Sequence, residues 1–529
     1  MNRNPNRLWI DALLLGWSFD FLFWKKPAGV NFPIFAGLCL LGGLALLLWD
    51  GIRPSRGGLW LLLPFAFFAA ATVIRSEPMT TFLAYSLTLF SLSLFALTYL
   101  GGRWAQYGVS DYVSKYVGLA VSVIGRPLSF QLERSKERAE SGEARKRGAA
   151  WPVVRGLLIA VPIVAVFASL LGSADLVFGQ QLDKFVQLFR LEKLPEYLFR
   201  LFYILVGAYM LAGVLLHAAF QSGDEKLYGQ EKPLMTRYLG FTETSIILGS
   251  VGLLFLIFVI IQFRYFFGGN ANIHLDGYTY SEYARRGFGE LVAVAFFTFL
   301  LLLALGSISR RETPAQARAF SALGAGMVAM VLVMLVSAYQ RLVLYEAAYG
   351  FSRLRTYTHV VLYWIALLLV ATIVLEIFHR ERHFAFAAVL AAVGFAVSLS
   401  LLNVDAFIVR QNLDREFQRQ SGQAAFDSHY LLALSDDAVP AIVQAYTASS
   451  TPASIKDQLG AALVCMRLPR DRQETPLPWQ SFHFSRYYAD QAYAQVNGQL
   501  DAYKVVDKDW PPKVKTASGD YPCSQAYAD

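Results

Sequence analysis

The sequence predicts an all-α fold: a polytopic transmembrane helical bundle of about 11 spans, followed by a small, mostly helical soluble C-terminal domain. Three observations carry this expectation. Hydrophobic residues make up 55% of the 529 and charged residues 16%, where a soluble chain carries about 25% charged. Apolar runs of about 20 residues, the length that crosses a hydrocarbon core roughly 30 Å thick, recur up to residue 403. Beyond that point the chain turns polar and its charge changes sign, from 35 Lys+Arg against 24 Asp+Glu to 12 against 15.

Taken in order, the spans are expected near 8–24, 30–49, 58–74, 79–100, 152–172, 198–220, 240–263, 289–307, 318–340, 357–378 and 384–403. The transmembrane bundle is thus 1–403 and the soluble domain 404–529. The first span is short and contains Asp11 and Asp20; these acids interrupt any signal-peptide core, and no small-residue cleavage site follows, so it is read as retained. Lys and Arg favour the cytoplasmic side of short loops. An N-terminus inside places 21 of them in cytoplasmic segments against 12 opposite, and an odd span number then leaves the C-terminal domain outside. The expected location is a bacterial inner membrane, multi-pass.

The long 101–151 loop is expected to be cytoplasmic, with a solvated, partly disordered charged run from Glu133 to Arg147. Two amphipathic helices are expected beside spans, one around Val113–Ile124 and one around Leu182–Phe189, lying in the membrane interface or covering bundle ends. Cys39 falls within a span as a packing residue. Cys465 and Cys523 either form a disulfide, worth roughly 4 kcal/mol in the chain-entropy treatment, or remain free thiols.

Ionisable groups near membrane depth are costly and therefore informative. Asp20, Glu77, Asp175, Glu282, Tyr283, Arg285, Arg286, Glu290, Arg341, Tyr345, Glu346, Arg353 and Asp405 all stand at the same, outer side in this topology. Glu282, Arg285 and Arg286 share one helical face at i, i+3 and i+4, and Glu290 extends the row. Arg341, Tyr345 and Glu346 gather a guanidinium, a phenol and a carboxylate at one helix end. Two readings are open. An outward pocket would use the arginines to grip an anionic group; alternatively, ion-pair networks would lock helix ends in register. His379 and His383 flank Glu381, but not in a zinc-protease order; no metal or cofactor is expected.

Four motifs stand in order along the chain: Phe19-Asp20-Phe21-Leu22-Phe23-Trp24, Ser173-Ala174-Asp175-Leu176-Val177-Phe178, Glu282-Tyr283-Ala284-Arg285-Arg286-Gly287-Phe288 and Asn403-Val404-Asp405-Ala406-Phe407-Ile408. With these the sequence resembles the bacterial multi-pass membrane protein family numbered 4173 among the domains of unknown function. The resemblance implies an inner-membrane protein of unestablished role and assigns no catalytic residue. A cell-envelope sensing or assembly role ranks first, a transporter or ligand-binding protein for an anionic substrate second, and a membrane-embedded enzyme acting on a lipid-linked or envelope substrate last. No Walker A loop, dinucleotide fingerprint or nucleophile elbow is present. The expected partners are the lipid bilayer, an anionic small molecule or envelope component, and proteins meeting the C-terminal domain or the 101–151 loop. Nucleic acid is not among them, because the basic residues form no stripe interleaved with aromatics.

Overall fold

The structure is a computed structural model, and it describes residues 6–140, separate positions between 156 and 181, 193–224, 227, 238–266, 288–378, 380–419, 425–473, 475–506, 510–517 and 519–524. Helices dominate. They are α1 (Asn6–Phe23), α2 (Asn31–Trp49), α3 (Leu62–Ile74, preceded by the turn Arg56–Leu59), α4 (Pro78–Leu97), α5 (Val109–Glu140), α6 (Leu194–Phe220), α7 (Phe241–Phe266), α8 (Phe288–Ile308), α9 (Pro314–Tyr349), α10 (Arg353–Ile377) and α11 (Phe384–Leu402). The C-terminal domain adds α12 (Val404–Phe417), α13 (Val439–Thr447), α14 (Ala453–Asp471), α15 (Phe484–Leu500) and an antiparallel sheet of β1 (Lys504–Val506), β2 (Lys513–Thr516) and β3 (Gly519–Pro522) in the order β1-β2-β3.

Among the described residues, nine helical segments are long and apolar enough to span a bilayer: α2, Arg56–Ile74 (the turn with α3), α4 and α6 to α11. The chain is a polytopic membrane protein. Two of the eleven expected spans are not in this set. The first, α1, carries Arg7, Asp11 and Asp20 in 18 residues; the second, 152–172, lies largely outside the described residues. At 36 residues, α9 outruns the expected 318–340 at both ends. Its start is set by a capping box, in which the Thr313 hydroxyl accepts from the Gln316 amide and the Gln316 side chain reaches back. Of the charged run only Glu133–Glu140 is described, and it is helical: α5 continues through Glu140, since Glu, Lys and Arg are good helix formers. Residues 141–155 and the expected 182–189 helix lie outside the described residues.

The chain forms two compact units. In the first (Met1–Lys25, Gly37–Arg53, Lys115–Ser222), α1 packs along α6. Gly16 permits close approach there, since a Cβ would meet the Ile204 carbonyl at 2.7 Å. Gly213 similarly admits the α5 backbone at Val123. On α5, Val117, Val121, Ile124 and Leu128 are exposed at helical spacing, forming an apolar stripe along the helix.

In the second unit (Lys26–Ala36, Pro54–Ser114, Gly223–Asp529), Phe68, Ala71, Ala84 and Ala396 bring α3, α4 and α11 together. A second apolar cluster around Leu248, Ala295, Val331 and Leu369 joins α7 to α10. Residue 403 marks a corner rather than a break between units. Asn403 adopts the left-handed conformation (φ 52°) that Asn tolerates, ending α11 while its side chain caps α12. The core of the C-terminal domain, including Ile408, Val409, Ile442, Leu459 and Val496, is continuous with Leu399 of α11, and Met79 and Tyr357 pack against it. Cys465 of α14 and Cys523 after β3 form a disulfide with Cα atoms 5.1 Å apart, tying the sheet to the helices.

The domain also rests on the turn before α2. The Val30 amide donates to the Phe482 carbonyl at 2.9 Å and the Ser481 hydroxyl to the Pro27 carbonyl at 2.9 Å. Between them, a Cβ on Gly29 would lie 2.6 Å from the Ser481 carbonyl carbon. Gly29→Ala should therefore push the 479–482 segment off this turn. Amide hydrogen exchange at 480–484 should rise at least about tenfold, as expected for losing roughly 1.4 kcal/mol; unchanged protection would show that the backbones do not approach this closely.

Candidate functional site

The predicted polar residues that converge do so where α4, α10, α12 and the C-terminal domain meet. Glu77 begins the arrangement as the N-cap of α4, with Pro78 in the first turn. Its carboxylate accepts from the Met79 and Thr80 amides at 3.0 and 2.8 Å and from the Thr80 hydroxyl at 2.6 Å. The Tyr357 hydroxyl of α10 donates to the same carboxylate. Arg353, opening α10, forks onto Asp405: Nε donates to Oδ1 at 2.8 Å and Nη2 to Oδ2 at 2.6 Å. Its Nε is also 3.9 Å from Glu77. Asp405 lies in the first turn of α12 because Asn403 turns the chain two residues earlier, and it accepts from the Ser435 amide at 2.7 Å.

The domain grips the 72–77 segment through donors and acceptors together. Asp437 Oδ2 accepts from the Ser76 and Glu77 amides at 2.8 and 3.1 Å, and the Ser76 and Ser485 hydroxyls are 2.8 Å apart. The His483 ring lies close to the Thr72 and Arg75 backbone and accepts from the Ser485 amide at 3.2 Å. Arg75 Nε donates to the Ser400 carbonyl at 2.8 Å. The Tyr430 hydroxyl accepts from the Arg353 amide at 2.9 Å, and Asn412 bonds both backbone groups of Phe351, clamping the α9–α10 turn.

Glu77 and Asp405 are 1% and 0% exposed. Buried charge is tolerable only when paired and fully hydrogen-bonded. Here one guanidinium serves two carboxylates, and amide and hydroxyl donors supply the remaining bonds. Burial pushes the Asp437 carboxyl above its usual value, against its bonds from Ser485 and the Ser76 and Glu77 amides and the nearby Arg75. Burial also pushes the His483 imidazole below its ordinary 6.5, opposed by the nearby Asp437, Asp436 and the Thr72 and Arg75 backbone. The two groups thus act in opposite senses. The Asp437 contribution to docking is full below its ordinary value and fades as pH rises through the raised one. The His483 contribution is full above 6.5 and fades as pH falls through the lowered one.

The other predicted residues lie elsewhere. Asp20 sits in the first unit, where Arg200 grips it with both a ring of bonds from the guanidinium and support from the Tyr203 hydroxyl. Asp175 is exposed and accepts from the Phe178 amide at 2.8 Å. Glu290 is exposed in the first turn of α8, where a negative charge suits the helix dipole. Glu346 of α9 is 2.5 Å from His359 Nε2 of α10, and Tyr345 lies under the Arg355 guanidinium at 4.2 Å. Arg341 is half-buried one turn before Tyr345. Glu282, Tyr283, Arg285 and Arg286 lie outside the described residues. The sequence reading missed Tyr357, Tyr430, Asp437, His483, Arg200 and His359. The last two carried a usable signal, as ionisable groups inside apolar helices; the others sit in ordinary polar surroundings. Among the described residues no three His, Cys, Asp or Glu side chains converge as metal ligands.

Removing Asp405 leaves the half-buried Arg353 guanidinium without its forked partner. Asp405→Ala should lower stability by about 3–5 kcal/mol, the range for one partner lost from a buried pair, and Arg353→Met with Asp405→Leu should recover much of it; denaturation of the purified protein in detergent measures both. With Asp437→Asn, only His483 of this pair titrates. Protection of the 75–77 amides should then hold above pH 6.5 and weaken on acidification; a flat profile would remove His483 from the contact.

No curated protein and no solved structure matches the chain. One family model matches residues 62–445, a stretch that contains Glu77, Glu346, Arg353, Asp405 and Asp437. The match does not support the number 4173 to which the motifs pointed, only a family of unestablished function. The chain belongs to the family described as Domain of unknown function (DUF4153).

Proposed function

We propose that the protein is a cell-envelope sensing or assembly protein of the bacterial inner membrane, whose C-terminal domain lies outside the cytoplasm and is coupled to the ends of the spanning helices. The observation that carries this reading is the double attachment of the domain. Asp437 and Ser485 hold the α3–α4 turn, with His483 packed beside it, while Asp405 holds the start of α10 through Arg353. An event on the domain surface therefore bears on three spans at once. A passive anchor would need only one tether.

Two observations support the orientation. The Lys/Arg bias favours a cytoplasmic N-terminus, and the Cys465–Cys523 disulfide suits an oxidising compartment outside it. Arg353, the cation at the centre of the cluster, is taken up by carboxylates, which favours a structural network there over a site that grips an anionic substrate. The partners that fit are the bilayer and an envelope component met by the C-terminal domain, with the 101–151 loop available to a cytoplasmic protein.

An alkaline phosphatase reporter fused after Asp529 should be active and a cytoplasmic reporter silent; the reverse would overturn the orientation. In the host, truncation after Arg419 and the chromosomal Asp405→Ala, Asp437→Ala double variant should both reproduce the phenotype of full gene loss, with the bundle still inserted. A truncated bundle that complements fully would show that the domain is not the working part.

A further inference from the structure

A cleft of about 440 Å³ opens beside the attachment of the C-terminal domain, between α13, α15 and the ends of α3 and α11. This volume falls within the range of small-molecule sites. Its walls are rich in neutral amides and hydroxyls. Asn403 comes from the α11–α12 corner, Gln444 and Thr447 from α13, and Tyr488, Gln491 and Gln495 from α15. The side-chain amides of Gln444 and Gln495 make no hydrogen bond among the described residues. The Tyr488 ring is 53% exposed and held by Phe484, with centroids 6.3 Å apart.

The two carboxylates in the cleft are already engaged, and its arginine is held by one bond. Asp436 pairs with Arg470 at 2.5 Å, Asp437 holds the Ser76 and Glu77 amides, and Arg75 is bonded to Ser400. An anion would meet two carboxylates against the single arginine Arg75, and the helical walls offer no backbone edge for a peptide to pair with. Primary amides carry a donor and an acceptor side by side, the arrangement that matches a hydroxyl acting as both. An exposed aromatic ring supplies a face for the apolar C–H side of a pyranose.

We propose that this cleft binds a neutral saccharide unit of an envelope glycan. The inference rests on the reading above that the domain faces the envelope. Because Asp437 and Ser485 line the cleft and also hold the 72–77 turn, a bound sugar contacts the side chains through which the domain is attached.

The test uses the full-length protein in nanodiscs and saturation-transfer difference NMR with N,N′-diacetylchitobiose, maltose and trehalose. At least one disaccharide should bind in the millimolar range. Binding should weaken about tenfold in Gln444→Ala/Gln495→Ala and again in Tyr488→Ala, the loss of one or two hydrogen bonds or one ring face. All three positions are on the exposed sides of helices, and far-UV circular dichroism checks that the fold is kept. The proposal is overturned if none of the three sugars binds at on the order of 10 mM, if the variants bind unchanged, or if inorganic phosphate or tetra-alanine competes equally. Silence of the sugars with an active reporter after Asp529 removes the saccharide and leaves the sensing or assembly role standing. A cytoplasmic C-terminus removes that role, whatever the spectra report about the cleft.

Discussion

A guanidinium enclosed by protein has to be answered by carboxylate, and the second unit is organised around that requirement at Arg353. Asp405 meets it with both oxygens, and Glu77 adds a more distant negative charge while capping α4. Each of these acids is itself buried and needs further donors, which come from Tyr357, Ser435 and the α4 amides. The consequence is spatial. Four segments far apart in sequence have to end within hydrogen-bonding reach of one another, which fixes the register of α4, α10 and α12 more narrowly than apolar packing does.

Lipid-facing helices gain little from hydrophobic burial against each other, because the surrounding chains are as apolar as their own side chains. Specific polar contacts at helix ends then carry a larger share of the choice among packings. The 72–77 segment illustrates this: the Ser76 and Glu77 amides and the Ser76 hydroxyl are all taken by one domain. That Asn403 sits between a span and Asp405 follows the same logic. The corner converts a helix that must stay in the membrane into one whose first turn aims a carboxylate back at α10.

The apolar helices were legible because length and hydropathy act locally, and nine of the expected spans recur as helical segments. Glu77, Arg353 and Asp405 stood out for a related reason, being charges beside apolar runs. Their partners did not stand out. Asp437, Tyr430 and Ser435 lie in ordinary polar sequence, and pairings across 280 residues (Glu77 with Tyr357) or 361 (Ser76 with Asp437) leave no local trace. The pocket-or-network question was likewise closed to sequence, since the same residues serve either. Burial and pairing place Glu77, Arg353 and Asp405 in a network, while the nearby cleft is lined by glutamines that attracted no notice.

The length of α9 bears on how such a protein would move. Its 36 residues rise about 54 Å in about ten turns, well past a hydrocarbon core of roughly 30 Å. It is therefore one continuous rod, longer than the apolar layer, with a handle at each end. One handle ends at Gly350, beside the Asn412 clamp; the other begins at Thr313. A tilt imposed at the first becomes a lever stroke at the second, because no break in the helix absorbs it.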